Sequence, residues 1–128
     1  MDIAFEVATW LQRMGFGTVG TSIHVGYLPD SSNAISVMNA GGSPNNYVPI
    51  ENSFVDIYVK NTSASTGIET INNIKRAIHR MHTTEVNDAY IYTFLVVGDV
   101  EDVERDLEYA KIFKITVQVI HRDTDIIS

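Results

Sequence analysis

Two stretches, Ala89 to Val97 and Lys111 to Arg122, are the longest runs in this chain that alternate along a two-residue period. Successive side chains on a strand point to opposite faces of a sheet, so such runs read as half-buried strands. The residues between them form an acidic connector that holds Asp99, Glu101, Asp102, Glu104, Arg105, Asp106 and Glu108. Two strands joined in this way are expected to pair antiparallel. A third run, Val55 to Lys60, sets Val55, Ile57 and Val59 against Asp56, Tyr58 and Lys60, which gives one apolar face and one mixed face.

A helical period takes over elsewhere. Ile3, Val7, Trp10, Leu11 and Met14 predict a helix over about residues 2–14, stopped by Gly15 and Gly17. Ile68, Ile71, Ile74, Ile78 and Met81 form a second stripe opposite Asn72, Lys75, Arg76 and Arg80, with Thr66 as cap and Glu69 three residues on. Ser22 to Tyr27 and Ala34 to Asn39 read as two short strands of a hairpin, joined by Leu28 to Asn33 with turn chemistry at Pro29 and Asp30. From Ala40 to Ser53 the chain turns to Gly, Pro, Asn and Ser, as in a long projecting loop. The sum is an α+β fold in a single domain, 1–128: a mostly antiparallel sheet of about five strands with two helices packed on one face.

With Ile57, Leu95 and Val117 directed at the helices, Tyr58, Tyr90, Tyr92, Phe94, Ile112 and Ile120 fall on the other face. That leaves either an apolar patch of the kind that marks an interface, or a face over which a loop or strand folds.

Composition limits the partners. A formal charge of -7 supplies no basic field for phosphates, and the clustered cations are Lys75, Arg76 and Arg80 on one helix. The chain has no cysteine, so disulfide and thiolate chemistry are excluded. A start at Met1-Asp2 without a basic segment and apolar core predicts a cytosolic product, for which the sequon Asn61-Thr62-Ser63 has no meaning. No apolar run approaches the roughly 20 residues of a membrane helix, so no membrane partner is expected.

Candidate chemical sites are thin. His79 and His82 stand three apart at a helix end, where cationic His suits the dipole, without further ligands nearby in sequence. His24 and His121 lie within strands and read as sheet residues. The acidic connector offers hard oxygen ligands but not the EF-hand spacing. Pro29-Asp30 followed by Asp56 to Lys60 has the outline of a Mg²⁺ nuclease core, yet Tyr58 stands where the second carboxylate belongs. Gly41-Gly42 lacks a neighbouring Lys or Arg for anion binding and reads as backbone flexibility. No catalytic residue, cofactor or metal site is expected.

One layout carries a resemblance. Val25-Gly26 precedes Leu28-Pro29-Asp30; Asn33 turns the chain before Ile35 and Val37; Gly41-Gly42 precedes Pro44; and the strand Val55 to Lys60 leads into a helix. In this the chain resembles the tail terminator proteins of long-tailed bacteriophages, also described as minor capsid or tail-completion proteins. Where family members often carry Arg at the strand end, this chain carries Lys60. The resemblance implies a non-enzymatic virion protein made in the host cytoplasm. It implies a homo-oligomeric ring, hexameric in form, that sits between tail tube protein and head connector protein at the head-tail junction, stops tube polymerisation and lets DNA pass through its lumen. Interface residues expected on this basis and on the aromatic face are Gly41, Gly42, Pro44, Asn45, Asn46, Tyr58, Tyr90, Tyr92, Phe94, Asp99 and Asp102. The alternatives are a head-completion or connector ring subunit and a small-ligand-binding regulatory domain.

Overall fold

The computed structural model describes residues 3–29, 33–44, 51–79, 84–86, 89–103 and 111–123. The elements run α1 (Ile3–Arg13), β1 (Ile23–Val25), β2 (Ala34–Pro44), β3 (Glu51–Asn61), α2 (Ala64–His79), β4 (Thr84–Val86), β5 (Ala89–Val103) and β6 (Lys111–Asp123). The strands form one sheet of order β1-β2-β3-β6-β5-β4, antiparallel except for the first pair. This is the expected α+β architecture, with one strand more than the alternation predicts.

β3 and β6 form the centre of the sheet, in unbroken register from Glu51↔His121 to Asn61↔Lys111. Val55, Ile57 and Val59 on β3, with Phe113, Ile115, Val117 and Val119 on β6, bury one face against Val7, Trp10 and Leu11 of α1 and Ile71, Ile74 and Ile78 of α2. α1 ends as its glycine predicts. Gly15 takes a φ of 89°, and the Phe16 N–H reaches back to the Leu11 carbonyl at 3.0 Å, which closes the last turn. Across the chain, the Asn39 amide oxygen of β2 accepts from the Ala4 N–H at 3.2 Å and so ties the start of α1 to the sheet.

Several expectations are corrected. Ser63, not Thr66, caps α2: its hydroxyl accepts from the Thr66 N–H at 3.3 Å, three residues into the turn. The buried stripe is accordingly Gly67, Ile71, Ile74 and Ile78, and Ile68 faces solvent. Met81 lies outside the described residues.

The predicted hairpin of the first two strands is a parallel pair, Ile23↔Ile35 to Val25↔Val37. Its return connection is held by long-range bonds that no local turn signal encodes. The Lys60 ammonium donates to the Pro29 carbonyl at 3.1 Å, and the Thr62 N–H donates to the Asn33 amide oxygen at 3.2 Å. The long Gly-rich loop is largely strand. β2 continues to Pro44 and β3 begins at Glu51, with Gly42↔Ser53 and Pro44↔Glu51 paired beyond an irregularity at Asn39/Gly42. Ala40 and Gly41 fall within that irregularity, between the pairs Asn39↔Val55 and Gly42↔Ser53. The acidic connector is also shorter than its composition suggests, because β5 runs on through Asp99, Glu101 and Asp102 to Val103.

Candidate functional site

The face of the sheet turned away from the helices is built from β2, β3, β6 and β5 and is divided into zones. Near the C-terminal end of β3, Ala34, Ser36, Lys60 and Ile112 are all buried. Here the Lys60 ammonium reaches the Pro29 carbonyl and fastens the chain that follows β1. A cation at this strand end is therefore a structural clamp, with only 3% of its surface exposed.

The middle of the face carries a polar row. Asp56 accepts a hydrogen bond from the Thr116 hydroxyl at 2.7 Å, and its other oxygen lies 3.9 Å from the Lys114 ammonium. Glu101 approaches the same ammonium at 3.6 Å. The Lys114 pKa is raised above its ordinary value of 10.5, first by the charge of Asp56, against a smaller opposing effect of burial and with further help from Tyr58 and Glu101. Two carboxylates from strands on either side of β6 thus converge on one amine.

Beside this row the face carries exposed aliphatic groups: Val97, 46% exposed, pairs with Thr116, and Leu95, 48% exposed, pairs with Gln118 of β6, across which lies half-buried Phe54 of β3. Leu95 was expected on the helix side and Phe94 on this one, and the structure reverses them. Ile91 pairs with His121 and Thr93 with Ile120, so an extra residue enters β5 between them. The bulge shifts the period by one, so that Phe94, Leu95, Val96 and Val97 change face. Ile91 and Phe94, three apart, both enter the core, where Phe94 meets Trp10 edge-on at 4.9 Å between ring centroids.

The other expected residues distribute as follows. Tyr58 is half-buried on the open face beside the Lys114 cluster. Gly41, Gly42 and Pro44 lie in the far part of β2, while Asn45 and Asn46 fall outside the described residues. Tyr90 and Tyr92 are part of β5, as are Asp99 and Asp102. The sequence reading missed Leu95 and Val97 as surface residues and missed the Asp56–Lys114–Glu101 cluster. Its only signal was opposite charge on runs whose register was still unknown.

The chemical alternatives gain no geometry. Asp30 and His82 fall outside the described residues, His79 ends α2 in solvent, and Asp56 is engaged with Thr116 and Lys114. Among the described residues no three His, Cys, Asp or Glu side chains assemble as a metal site. No described helix is long and apolar enough to cross a membrane. His121 is a buried sheet residue, its Nε2 lying 2.8 Å from the Ser53 hydroxyl.

No curated protein matches the chain. A family model described as bacteriophage tail terminator protein matches residues 10–122, from the last turn of α1 to the end of β6. Nearly the whole fold, including both central strands and the open face, lies within that match, and the chain belongs to the bacteriophage tail terminator proteins, structural proteins of the phage tail.

Proposed function

We propose that this protein closes the growing tail tube as a homo-oligomeric ring, a hexamer, and presents the surface to which the head is joined. The observation that carries the reading is the open sheet face, where Leu95 and Val97 stand exposed in a chain whose family acts in tail assembly. Such a patch on a small domain is a place for another protein. The acidic charge of -7 suits a lumen through which DNA passes, since like charge keeps phosphates from adhering to the wall. Gly41, Gly42, Pro44, Asn45 and Asn46, with Tyr58, Tyr90, Tyr92, Asp99 and Asp102, are the proposed contacts to neighbouring subunits, tail tube protein or head connector protein. Phe94 is withdrawn from this set by its place in the core.

Light scattering of the purified protein, with and without Mg²⁺ and with isolated tails, tests the ring. A discrete species of about six subunits is expected, and a strict monomer in every condition overturns it. A phage lacking the protein should make tails of uncontrolled length that fail to join heads. Normal tails on leaking heads would place the protein at the head connector instead.

A further inference from the structure

The open face and the outer side of α2 lie on opposite faces of the sheet and carry unlike charge. α2 buries Gly67, Ile71, Ile74 and Ile78 against the core and turns Ile68, 43% exposed, and Arg76 away from it. Lys75, Arg76 and His79 in its second half stand against a single acid, Glu69. The Arg76 guanidinium donates to the Asn73 amide oxygen at 2.8 Å, one turn back, which holds it along the helix surface. On the open face Leu95 and Val97 are followed along β5 by Asp99, Glu101 and Asp102, and the Glu101 side chain is 66% exposed even while it approaches Lys114. Each surface thus sets an exposed aliphatic group beside a charge, positive on α2 and negative on β5.

We infer that successive subunits are joined by seating the outer side of α2 of one copy on the open sheet face of the next, with Ile68 against Leu95 and Val97 and Arg76 against Glu101. This rests on the ring reading and supplies its joint. Three observations select the occupant. The first is charge. Copies that each carry a charge of -7 repel, and a cationic helix surface is what the acidic end of β5 attracts. The second is spacing. Ile68 and Arg76 stand about 12 Å apart along a helix at its usual rise. Leu95 and Glu101 pair with Gln118 and Lys114 of β6, which stand about 13 Å apart at the usual strand rise. The third is symmetry. Two unlike patches make a head-to-tail interface that can close into a ring, whereas two open faces meeting would be self-complementary and stop at a dimer. The contact gives the sheet a helix on both faces, so that its second aliphatic surface is buried as the first is.

The absence of native cysteine gives a direct test. Ile68→Cys is combined with Leu95→Cys or Val97→Cys, all at exposed positions outside the core. Within one subunit Ile68 belongs to the helix layer, while Leu95 and Val97 point from the sheet to the other side. Side chains directed apart in this way cannot be bridged, so oxidation can link these positions only between copies.

The assembled protein, with isolated tails if they are needed, is oxidised and run without reductant. The expected result is a covalent ladder that stops at the ring number and collapses on reduction, while each single variant stays uncross-linked. In the same cysteine background Arg76→Glu should weaken assembly about tenfold, and adding Glu101→Arg should restore it. Covalent dimers from Leu95→Cys or Val97→Cys alone would mean that two open faces meet, which overturns the inference. Cross-linking that both charge reversals leave unchanged overturns it as well. A ring seen by light scattering that neither double variant cross-links also overturns it and leaves the ring reading standing. Failure to assemble under any condition removes both.

Discussion

The two faces of this sheet are made by the same strands and differ in what they ask of their surroundings. Toward the helices, Val55, Ile57, Ile115, Val117 and Val119 meet α1 and α2 in a continuous apolar layer. On the other side the same strands present Asp56, Lys114 and Thr116 beside Leu95 and Val97. The first face is sealed and makes the fold. The second combines a charge cluster with exposed aliphatic groups, and it is the face to which the proposed assembly is assigned. On the proposed function, stability and assembly rest on separate sets of side chains, and substitutions should divide along the same line.

The largest effect is expected at the junction of α1 with β5. Trp10 is almost fully buried and touches Phe94 edge-on. Trp10→Ala removes a large buried ring and leaves a cavity, for a loss of about 3–5 kcal/mol in denaturant unfolding. A loss under about 1 kcal/mol would mean that α1 is not seated as described. Next comes Lys60→Met, which keeps the buried stem but leaves the Pro29 carbonyl without this donor. The cost should be about 1–3 kcal/mol, and hydrogen exchange should rise in the segment around β1 rather than in β6. Gly67→Ala sets two terms against each other. A methyl group there meets the Phe113 ring at 2.9 Å, an overpacking cost of about 1–3 kcal/mol, while the helix gains about 1 kcal/mol by losing a glycine. A net loss of about 1 kcal/mol is expected, and a gain would show that Phe113 can move aside.

How far these faces could be read in advance depended on whether a feature was local. The apolar period of β3 and β6 is local, and it placed Ile57 and Val117 on the helix side, where they are found. The end of α1 at Gly15 was equally legible, because one residue supplies the required backbone angle. The face of Leu95 was not, since it hangs on a one-residue bulge between Ile91 and Thr93 that alternation alone cannot reveal. Nor was the parallel path of β1. Turn residues at Pro29 and Asp30 suggested a hairpin, but the path is settled by Lys60 and Asn33 acting across the sheet. The open face was expected from an aromatic stripe and turned out to be partly aliphatic, with Phe94 moved to the core by the same bulge.

That correction sharpens the test of the open face. Leu95→Ser leaves the core untouched, so monomer stability should stay within about 0.5 kcal/mol of the parent. Assembly should weaken clearly in light scattering or in binding to isolated tails. A stability loss like that of Trp10→Ala would instead mean that Leu95 is packed inside the subunit, and the division between the faces would fail.

The smallest effect is expected in the polar row, and its sign follows from the Lys114 amine. Because that amine is held above its ordinary value of 10.5, chiefly by Asp56, the folded state binds its proton more tightly than the unfolded chain does. The resulting stabilisation is complete below the ordinary value and is lost as the pH rises through the raised folded value. Asp56→Asn removes the main cause yet keeps an oxygen for the Thr116 hydroxyl. The pair is partly exposed, so the change should cost no more than about 1 kcal/mol at pH 8. The difference between parent and variant should shrink above the ordinary lysine range and again in 1 M salt, where charges are screened beyond about 3 Å. A difference that persists through both would assign Asp56 a packing role, and the open face would then be held in shape by contacts rather than by its charges.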